Sequence, residues 1–174
     1  MINPNHHNMT FWLTGRPCSG KTTISRRLKE ELEKRGLKVA SLDGDAVRGR
    51  LSADLGFTAK DRFENLRRVA HIAQLFNENG MFVVATFVSP TNDLRDMVRH
   101  TVKNFKMCYV QCGLEACEKR DVKGMYKKAR TGEIKDFTGI SAPFEDPVHP
   151  ELIVDSEHSS LEDCVTQILN YLEK

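Results

Sequence analysis

The strongest chemical signal in the sequence is an eight-residue loop at residues 15–22. It matches the pattern G-x-x-x-x-G-K-[ST] with the residues Gly15, Arg16, Pro17, Cys18, Ser19, Gly20, Lys21 and Thr22. Glycines let the backbone approach phosphate groups closely and point several N–H groups toward them. Lys21 supplies a positive charge for the β- and γ-phosphates of ATP, and the Thr22 hydroxyl suits Mg²⁺. We therefore predict that this loop binds ATP together with Mg²⁺.

The loop by itself does not separate kinases from GTPases or motor ATPases. The sequence has no Asn/Thr-Lys-x-Asp segment of the kind that binds guanine, and 174 residues are few for a large ATPase. A charged, glycine-containing stretch at about residues 121–140 shows little apolar periodicity, and we predict that it is a mobile lid. Because lid closure excludes water from the reaction, a short chain with a lid favours phosphoryl transfer to a small molecule.

Two carboxylates, Asp43 and Asp45, follow the second predicted strand. The carboxyl ends of parallel strands lie at the mouth where ligands bind. One carboxylate can bind Mg²⁺, directly or through water, while the other orients or deprotonates the attacking hydroxyl. We favour Asp45 for the catalytic role, beside Thr22 and the metal, because Gly44 allows the chain to turn its side chain toward the cleft. Two carboxylates that only cap or end a turn are the alternative.

Further side chains have types that suit contact with an acceptor molecule. Arg62 and Asn65 are three residues apart and share a helix face, and arginine suits phosphate or sulfate oxygens. Phe57 and Phe137 stand in polar loops that contain glycine, where a ring either anchors the loop or stacks on a nucleobase. Ser89 follows the most apolar predicted strand and either contacts substrate or caps the next helix. For the arginines, a solvated surface position is the alternative.

Apolar periodicity predicts the elements that position these residues. We predict strands at residues 9–14, 38–43, 81–88, 106–111 and 152–155, and helices at about residues 20–35, 46–51, 58–79, 91–104, 114–120 and from 159 onward. The long helix should bury Phe63, and Ser159 with Glu162 should cap the last helix. Strands that alternate with helices indicate an α/β fold with a mostly parallel sheet and helices on both faces. We expect one domain over residues 1–174, with a flexible tail at residues 1–8.

Composition excludes several other classes of protein. A net charge of +2 gives no basis for binding nucleic acid, and no segment reaches the ~20 apolar residues of a membrane span. The five cysteines include no CxxC pair, and the spacing of Cys108, Cys112 and Cys117 suits no common zinc site. Free thiols are typical of a reducing compartment, so we predict a cytoplasmic protein.

Four segments, taken in order, resemble the adenylylsulfate kinases. They read LDGDAVR (residues 42–48), DLGFTAKDRFENLRRV (54–69), FVSP (87–90) and KGMYKKARTGEIKDFTGI (123–140). The resemblance runs from about residue 12 to residue 151. It implies a P-loop kinase with a three-layer α/β/α fold. The expected reaction uses ATP and Mg²⁺ to phosphorylate the 3′-hydroxyl of adenosine 5′-phosphosulfate (APS). It also implies a homodimer that serves sulfate assimilation in the cytosol.

The resemblance also implies roles for individual residues. Asp45 would be the catalytic carboxylate near Mg²⁺ and the acceptor hydroxyl, and Phe57 and Phe137 would enclose the adenine of APS. The other residues expected at the APS site are Arg48, Arg62, Asn65, Val88, Ser89, Lys127, Gly139 and Ile140. The family's serine at the position of Ser89 is often described as a phosphoserine intermediate. Direct transfer between two bound nucleotides needs no such intermediate, so we predict that Ser89 contacts the substrate.

Two stretches depart from the family's usual residues. The family's phosphate loop usually reads Gly-Leu-Ser-Gly-Ala-Gly-Lys-Ser, and after the Ser-Pro pair it usually has Tyr-Arg, where this chain has Thr91 and Asn92. One alternative is therefore a related kinase that phosphorylates a different nucleotide. A nucleotide-binding regulator without transfer activity is a second, although the paired Asp43 and Asp45 argue against it because a pure binder needs no acceptor site.

Overall fold

The computed structural model describes residues 1–174, and its elements follow the predicted order. The strands are β1 (Thr10–Thr14), β2 (Val39–Asp43), β3 (Phe82–Thr86), β4 (Phe105–Gln111) and β5 (Leu152–Asp155). The helices are α1 (Lys21–Lys34), α2 (Gly44–Arg48), α3 (Ala59–Glu78), α4 (Asn92–Thr101), α5 (Leu114–Lys119), α6 (Met125–Arg130) and α7 (Leu161–Leu172). A short 3₁₀ helix, Pro4–His6, precedes β1.

The five strands form one parallel sheet in the order β2-β3-β1-β4-β5, with β1 in the middle. Alternate residues of β1 enter opposite cores, as the two-residue period of a strand requires. Phe11 and Leu13 pack with α1 and α7, whereas Trp12 packs with α3 and α4. The predicted α/β fold with helices on both faces of a parallel sheet is therefore confirmed.

Because all strands run in one direction, the segments that follow them emerge at the same edge of the sheet. The loop after β1 leads into α1 at Lys21, and Asp43 ends β2 there. Ser89 lies just beyond β3, so the residues singled out from three separate stretches meet at this edge. None of the helices combines the length and the apolar composition that crossing a membrane requires.

Two local predictions differ from the structure by a small shift. Phe63 is exposed, because the buried stripe of α3 runs through Leu66 and Ala70 instead. The capping box of α7 consists of Ser160 and Asp163, one residue later than predicted. Two Ser-x-x-acid pairs overlap at this position, and the helix uses the one that directly precedes its apolar face.

The N-terminal segment, which the sequence predicted to be a flexible tail, contacts the fold through Ile2, Asn3 and His6. Ile2 is buried in the core between α1 and α7, and the Asn3 N–H donates to the Leu172 carbonyl at 3.0 Å. His6 Nδ1 lies 2.9 Å from the same carbonyl oxygen. The last turn of α7 leaves this carbonyl without a partner inside the helix. The contacts to it and the burial of Ile2 offset the entropy that is lost when the segment is ordered.

Candidate active site

The phosphate loop is shaped by its glycines and by the space around them. A Cβ atom at Gly15 would lie 2.6 Å from the Val110 carbonyl oxygen, so no other residue fits there without displacing β4. Gly20 has φ of 92° and directly precedes α1. This left-handed angle is strained for residues other than glycine, and it turns the chain so that the first N–H groups of α1 face the loop. The loop therefore has the form that phosphate binding requires.

Lys21 holds its charge inside this loop. Its side chain is almost fully buried, and Nζ donates to the carbonyl oxygens of Gly15 at 2.9 Å and Arg16 at 2.7 Å. Burial lowers the pKa of Lys21 to about 8, because the ammonium group is withdrawn from water. The hydrogen-bond partners of Nζ are neutral carbonyl groups, so a phosphate bound in the loop would give the ammonium group a negatively charged partner.

Two outward hydrogen bonds fix the loop from other parts of the chain. Ser156, just after β5, donates from Oγ to the Ser19 carbonyl at 2.7 Å. Tyr126 of α6 donates from Oη to the Pro17 carbonyl at 2.9 Å. The second bond connects the predicted lid to the phosphate loop. The lid also contains the helix α6, which its charged sequence did not predict.

Asp43 connects the phosphate loop with β2 and β3. Its Oδ2 accepts hydrogen bonds from Thr22 Oγ1 and Thr86 Oγ1, both at 3.1 Å. Its Oδ1 accepts from the Asp45 N–H at 3.0 Å and so caps α2. The structure thus places Asp43, rather than Asp45, in contact with Thr22. One carboxylate and two hydroxyl oxygens form the kind of oxygen donor set that Mg²⁺ prefers.

Asp45 contacts the lid rather than Thr22. Its Oδ2 accepts a 2.7 Å hydrogen bond from Lys123 Nζ, and both side chains are exposed. The bond to Asp45 raises the pKa of Lys123 above its ordinary value. Asp45 is therefore free of metal-side contacts and accessible to a second ligand.

Two arginines and an aromatic ring form a cationic surface next to Asp45. The guanidinium of Arg48 lies 4.5 Å from the centre of the Phe57 ring, and that of Arg62 lies 5.9 Å away. Arg48 donates to the Gly56 carbonyl, and Arg62 donates to the Phe57 carbonyl at 2.9 Å and to Thr138 Oγ1 at 3.1 Å. Partial burial lowers the pKa of both arginines, and neither is paired with a carboxylate. Their charges remain available to an anion.

The opposite side of this surface is formed by the end of the lid. Phe137 packs edge-on against Tyr126, with ring centres 4.9 Å apart.

Asn65 on α3 is buried, and its Oδ1 has no hydrogen-bond partner. An unpaired buried oxygen destabilises the fold unless a ligand or water satisfies it. Asn65 therefore offers a ready acceptor to a bound molecule.

One cavity of about 1200 Å³ joins the phosphate loop to the cationic surface. The predicted site residues that line it are Pro17, Cys18, Gly20, Lys21, Thr22, Asp45, Arg48, Phe57, Arg62, Asn65, Val88, Ser89 and Phe137. Gly15 and Ser19 of the phosphate loop are buried and do not line the cavity. Lys127 is exposed on α6 and does not line it either. Arg16, Gly139 and Ile140 line a separate cavity of about 400 Å³.

Sequence reasoning did not assign a site role to several residues that line the larger cavity. They are Thr86, Ser156 and Ser159. Thr86 and Ser156 lie at the carboxyl ends of strands, a position that does point to ligands. Ser159 precedes the last helix, where the sequence indicates only a cap. Arg120 and Lys123 also line the cavity, and the sequence left open whether such basic residues near the lid contact the ligands or form a solvated surface.

The cavity combines a phosphate loop with a hydroxyl–carboxylate pair beside it, and it continues into a second, cationic pocket. This combination is typical of a P-loop kinase that acts on a small anionic acceptor. The comparisons narrow this class. Residues 7–155 match the family described as adenylylsulphate kinase. The chain belongs to the adenylylsulfate kinase family, whose members are ATP-dependent kinases, and the resemblance inferred from four segments is confirmed.

Individual relatives cover most of the chain. It is 52% identical over 161 residues to an adenylyl-sulfate kinase of Phocaeicola vulgatus, covering 91% of this chain and 79% of that protein. It is 48% identical over 165 residues to an adenylyl-sulfate kinase of Bacteroides thetaiotaomicron, with 94% and 82% covered. The structure of the Mycobacterium tuberculosis APS kinase CysC in complex with AMPPNP and APS is similar, with a TM-score of 0.92, 36% identity, and coverage of 95% and 98%.

Proposed function

We propose that this protein transfers the γ-phosphate of ATP to the 3′-hydroxyl of APS, giving 3′-phosphoadenosine 5′-phosphosulfate and ADP. The observation that carries the proposal is the shared cavity, which is lined by Lys21 of the phosphate loop and also by Arg62 and Phe57 of the cationic surface. A triphosphate and a sulfated adenosine would fit side by side there. The similar Mycobacterium tuberculosis protein, which was studied with AMPPNP and APS, supports this arrangement.

The acceptor pocket suits the chemistry of APS. Arg48 and Arg62 carry charges that no carboxylate neutralises, and guanidinium groups bind sulfate and phosphate oxygens through paired hydrogen bonds. Phe57 and Phe137 offer ring faces and edges to an adenine. Asn65 offers an unpaired oxygen to a donor on the nucleotide.

Asp45 is the residue that we assign to the acceptor hydroxyl. It would orient the 3′-hydroxyl and accept its proton while the hydroxyl oxygen attacks the γ-phosphorus and ADP leaves. Lys123 holds the carboxylate at the cavity through its 2.7 Å hydrogen bond. Lys21 would stabilise the charge on the transferred phosphate, as the lysine of this loop does in related kinases.

Mg²⁺ fits the oxygens around Asp43. Thr22 and Asp43 would hold it, with Thr86 fixing the carboxylate from β3. When bound there, Mg²⁺ would supply positive charge close to the phosphates of ATP. This assignment revises the sequence-based expectation that Asp45 shares the metal with Thr22, because Asp45 contacts the lid instead.

Residues 121–140 would act as the lid over both nucleotides. Three contacts support this role: Tyr126 reaches the phosphate loop, Lys123 reaches Asp45, and the Asp136 carbonyl accepts from Arg62. Closure through these contacts would exclude water, which otherwise competes as an acceptor of the phosphate.

An assay of ADP release tests the proposed reaction. ATP with APS should give rapid turnover, whereas cytidine and uridine analogues of APS should give at least ~10-fold less, because the pocket would lose adenine contacts. Higher turnover with another nucleotide would contradict the assignment of the acceptor. Tight ATP binding without ADP release would favour a regulator.

The departure at Thr91 and Asn92 does not favour another nucleotide. Asn92 Nδ2 donates to the Asp146 carbonyl and its Oδ1 accepts from Arg95, and neither Thr91 nor Asn92 lines the larger cavity.

The family resemblance further leads us to propose a cytoplasmic homodimer that serves sulfate assimilation. Light scattering at micromolar concentration tests the dimer, since a monomer mass would contradict it.

A further inference from the structure

We propose that Trp12 is a positioning residue, which fixes the Ser89 hydroxyl as a hydrogen-bond donor to the acceptor nucleotide. Trp12 lies in β1 and does not line the cavity, so it acts through Ser89, which does. This inference rests on the proposed function, because it assigns the ligand of Ser89 to the acceptor side.

The geometry between the two side chains sets the direction of the hydroxyl. Trp12 Nε1 donates to Ser89 Oγ at 2.9 Å, and an indole N–H can only donate. Ser89 Oγ therefore acts as an acceptor toward Trp12, which leaves its own proton for another partner. No protein group accepts that proton, and Ser89 faces the cavity that contains Asp45 and Arg62. An oxygen of a bound nucleotide is the partner that fits.

The backbone at Ser89 is held in a conformation that it would not adopt alone. Ser89 has φ of 44°, in the left-handed region. Such a conformation is strained for a residue other than glycine and persists only when the surroundings impose it. Trp12 supplies one restraint, and Thr14 supplies another by donating from Oγ1 to the Val88 carbonyl at 2.7 Å. Both restraints come from the same face of β1.

The indole itself has little freedom to move. Trp12 is 1% exposed, stacks on Phe87 with ring centres 4.9 Å apart, and lies 6.1 Å from the Phe105 ring. The strand that carries Trp12 continues directly into the phosphate loop at Gly15. The same strand therefore determines where the γ-phosphate is held and where Ser89 contacts the acceptor.

Kinetics of three variants test the inference. Trp12→Phe keeps a ring but removes the N–H, and Ser89→Ala removes the hydroxyl. We expect Ser89→Ala to raise the KM for APS about tenfold and Trp12→Phe about fivefold, as for loss of one or part of one hydrogen bond to a charged ligand. The KM for ATP should not change. In the double variant, the KM for APS should equal that of Ser89→Ala alone, because Trp12 acts only through the hydroxyl.

A core variant separates positioning from packing. Phe105→Leu removes part of a buried ring that contacts Trp12 and is expected to lower Tm without changing the KM for APS. The proposal is overturned if the effects of Trp12→Phe and Ser89→Ala multiply, or if Trp12→Phe lowers Tm and leaves the KM for APS unchanged.

A measurement on the unaltered protein does not depend on the Trp12 variant folding. The chain has one tryptophan, so its indole N–H gives a single NMR signal. Saturating APS should shift this signal, and the shift should disappear in Ser89→Ala. No shift, or an equal shift in Ser89→Ala, contradicts the inference. Wild-type ADP release with APS is the control for the reaction itself: its absence would refute the proposed function, whereas normal turnover with unchanged variants would refute only the role of Trp12.

Discussion

The hydroxyl of Thr22 donates a 3.1 Å hydrogen bond to Oδ2 of Asp43, which joins the first turn of α1 to the end of β2. Asp43 also caps α2, the helix that carries Asp45. The carboxylate that contacts the phosphate loop thus caps the helix that carries the carboxylate we assign to the acceptor. Two side chains that are two residues apart in the sequence therefore make different contacts, Asp43 with Thr22 and Asp45 with Lys123.

Replacing Asp43 with Asn should affect the metal and not the fold. Asn is as good a helix N-cap as Asp, so Tm should stay within a few degrees of the wild-type value. The loss of the negative charge should raise the Mg²⁺ concentration needed for half-maximal activity by about 10–100-fold. A titration of activity with Mg²⁺ at saturating ATP measures this, and an unchanged requirement would argue against Asp43 as the metal-side carboxylate.

Removal of the Asp45 carboxylate should slow the chemical step. Asp45→Ala is expected to lower kcat by at least ~10²-fold, as for loss of a positioned catalytic group. Lys123→Ala should have a smaller effect on kcat and almost none on Tm, because exposed ion pairs contribute little to stability. Lys128→Ala removes an exposed basic side chain of α6, the helix that follows Lys123, and is the matched control. Near-normal turnover of Asp45→Ala would refute its role.

The two aromatic rings should be distinguishable by stability. Phe57 is 58% exposed, so Phe57→Ala should leave Tm unchanged and raise the KM for APS by about 5–100-fold, the range for loss of one stacked base. Phe137→Ala should raise the same KM and also lower Tm, since Phe137 packs on Tyr126. Steady-state kinetics with each substrate varied in turn, together with thermal melts, measure both effects. Equal changes in KM for ATP and APS would remove stacking as the explanation.

Lys21 should make ATP binding dependent on pH. Burial lowers its pKa from 10.5 to about 8, so the free enzyme loses this charge as pH rises above about 8, and the affinity for ATP should fall. Calorimetric titration with ATP from about pH 7 to about pH 10 measures the change. Lys21→Arg should bind with an affinity that is less dependent on pH, because arginine stays protonated.

Titration of Lys21 should also change the free energy of unfolding, which should rise with pH while the affinity for ATP falls. The folded pKa of Lys21 lies below the unfolded value, so the unfolded chain binds more protons between about pH 8 and 10.5. The contribution of Lys21 to the free energy of unfolding therefore rises with pH across this window. A fall of this contribution, measured as the difference between wild type and Lys21→Arg, would contradict the depressed pKa.

Local patterns were sufficient for the sheet and for the phosphate loop. Residues 15–22 are contiguous, and their glycines and Lys21 serve one ligand, so the sequence displays the complete set. The placement of Asp43 and Asp45 was not predictable in the same way. Which carboxylate contacts Thr22 depends on how the chain enters α2. This short helix begins between the two residues, so that Asp43 caps it and Asp45 lies in its first turn.

Contacts between distant residues were also beyond reach from patterns alone. Trp12 and Ser89 are 77 residues apart, and each has an ordinary local explanation, a core residue or a helix cap. Ile2 shows the same difficulty, because a single apolar residue in a polar stretch gives no periodicity. Phe57 and Phe137 were each recognisable as a ring in a polar loop, but only the resemblance to a known family predicted that they enclose one adenine.

The central position of β1 has a consequence for redesigning the enzyme. Hydrogen bonds to β3 and β4 hold this strand on both sides, so its end cannot move independently of the sheet. Phe57 and residues 121–140 lie outside the sheet. We expect that loops from related kinases can be exchanged there to change nucleotide preference, while the machinery for handling the phosphate is inherited intact.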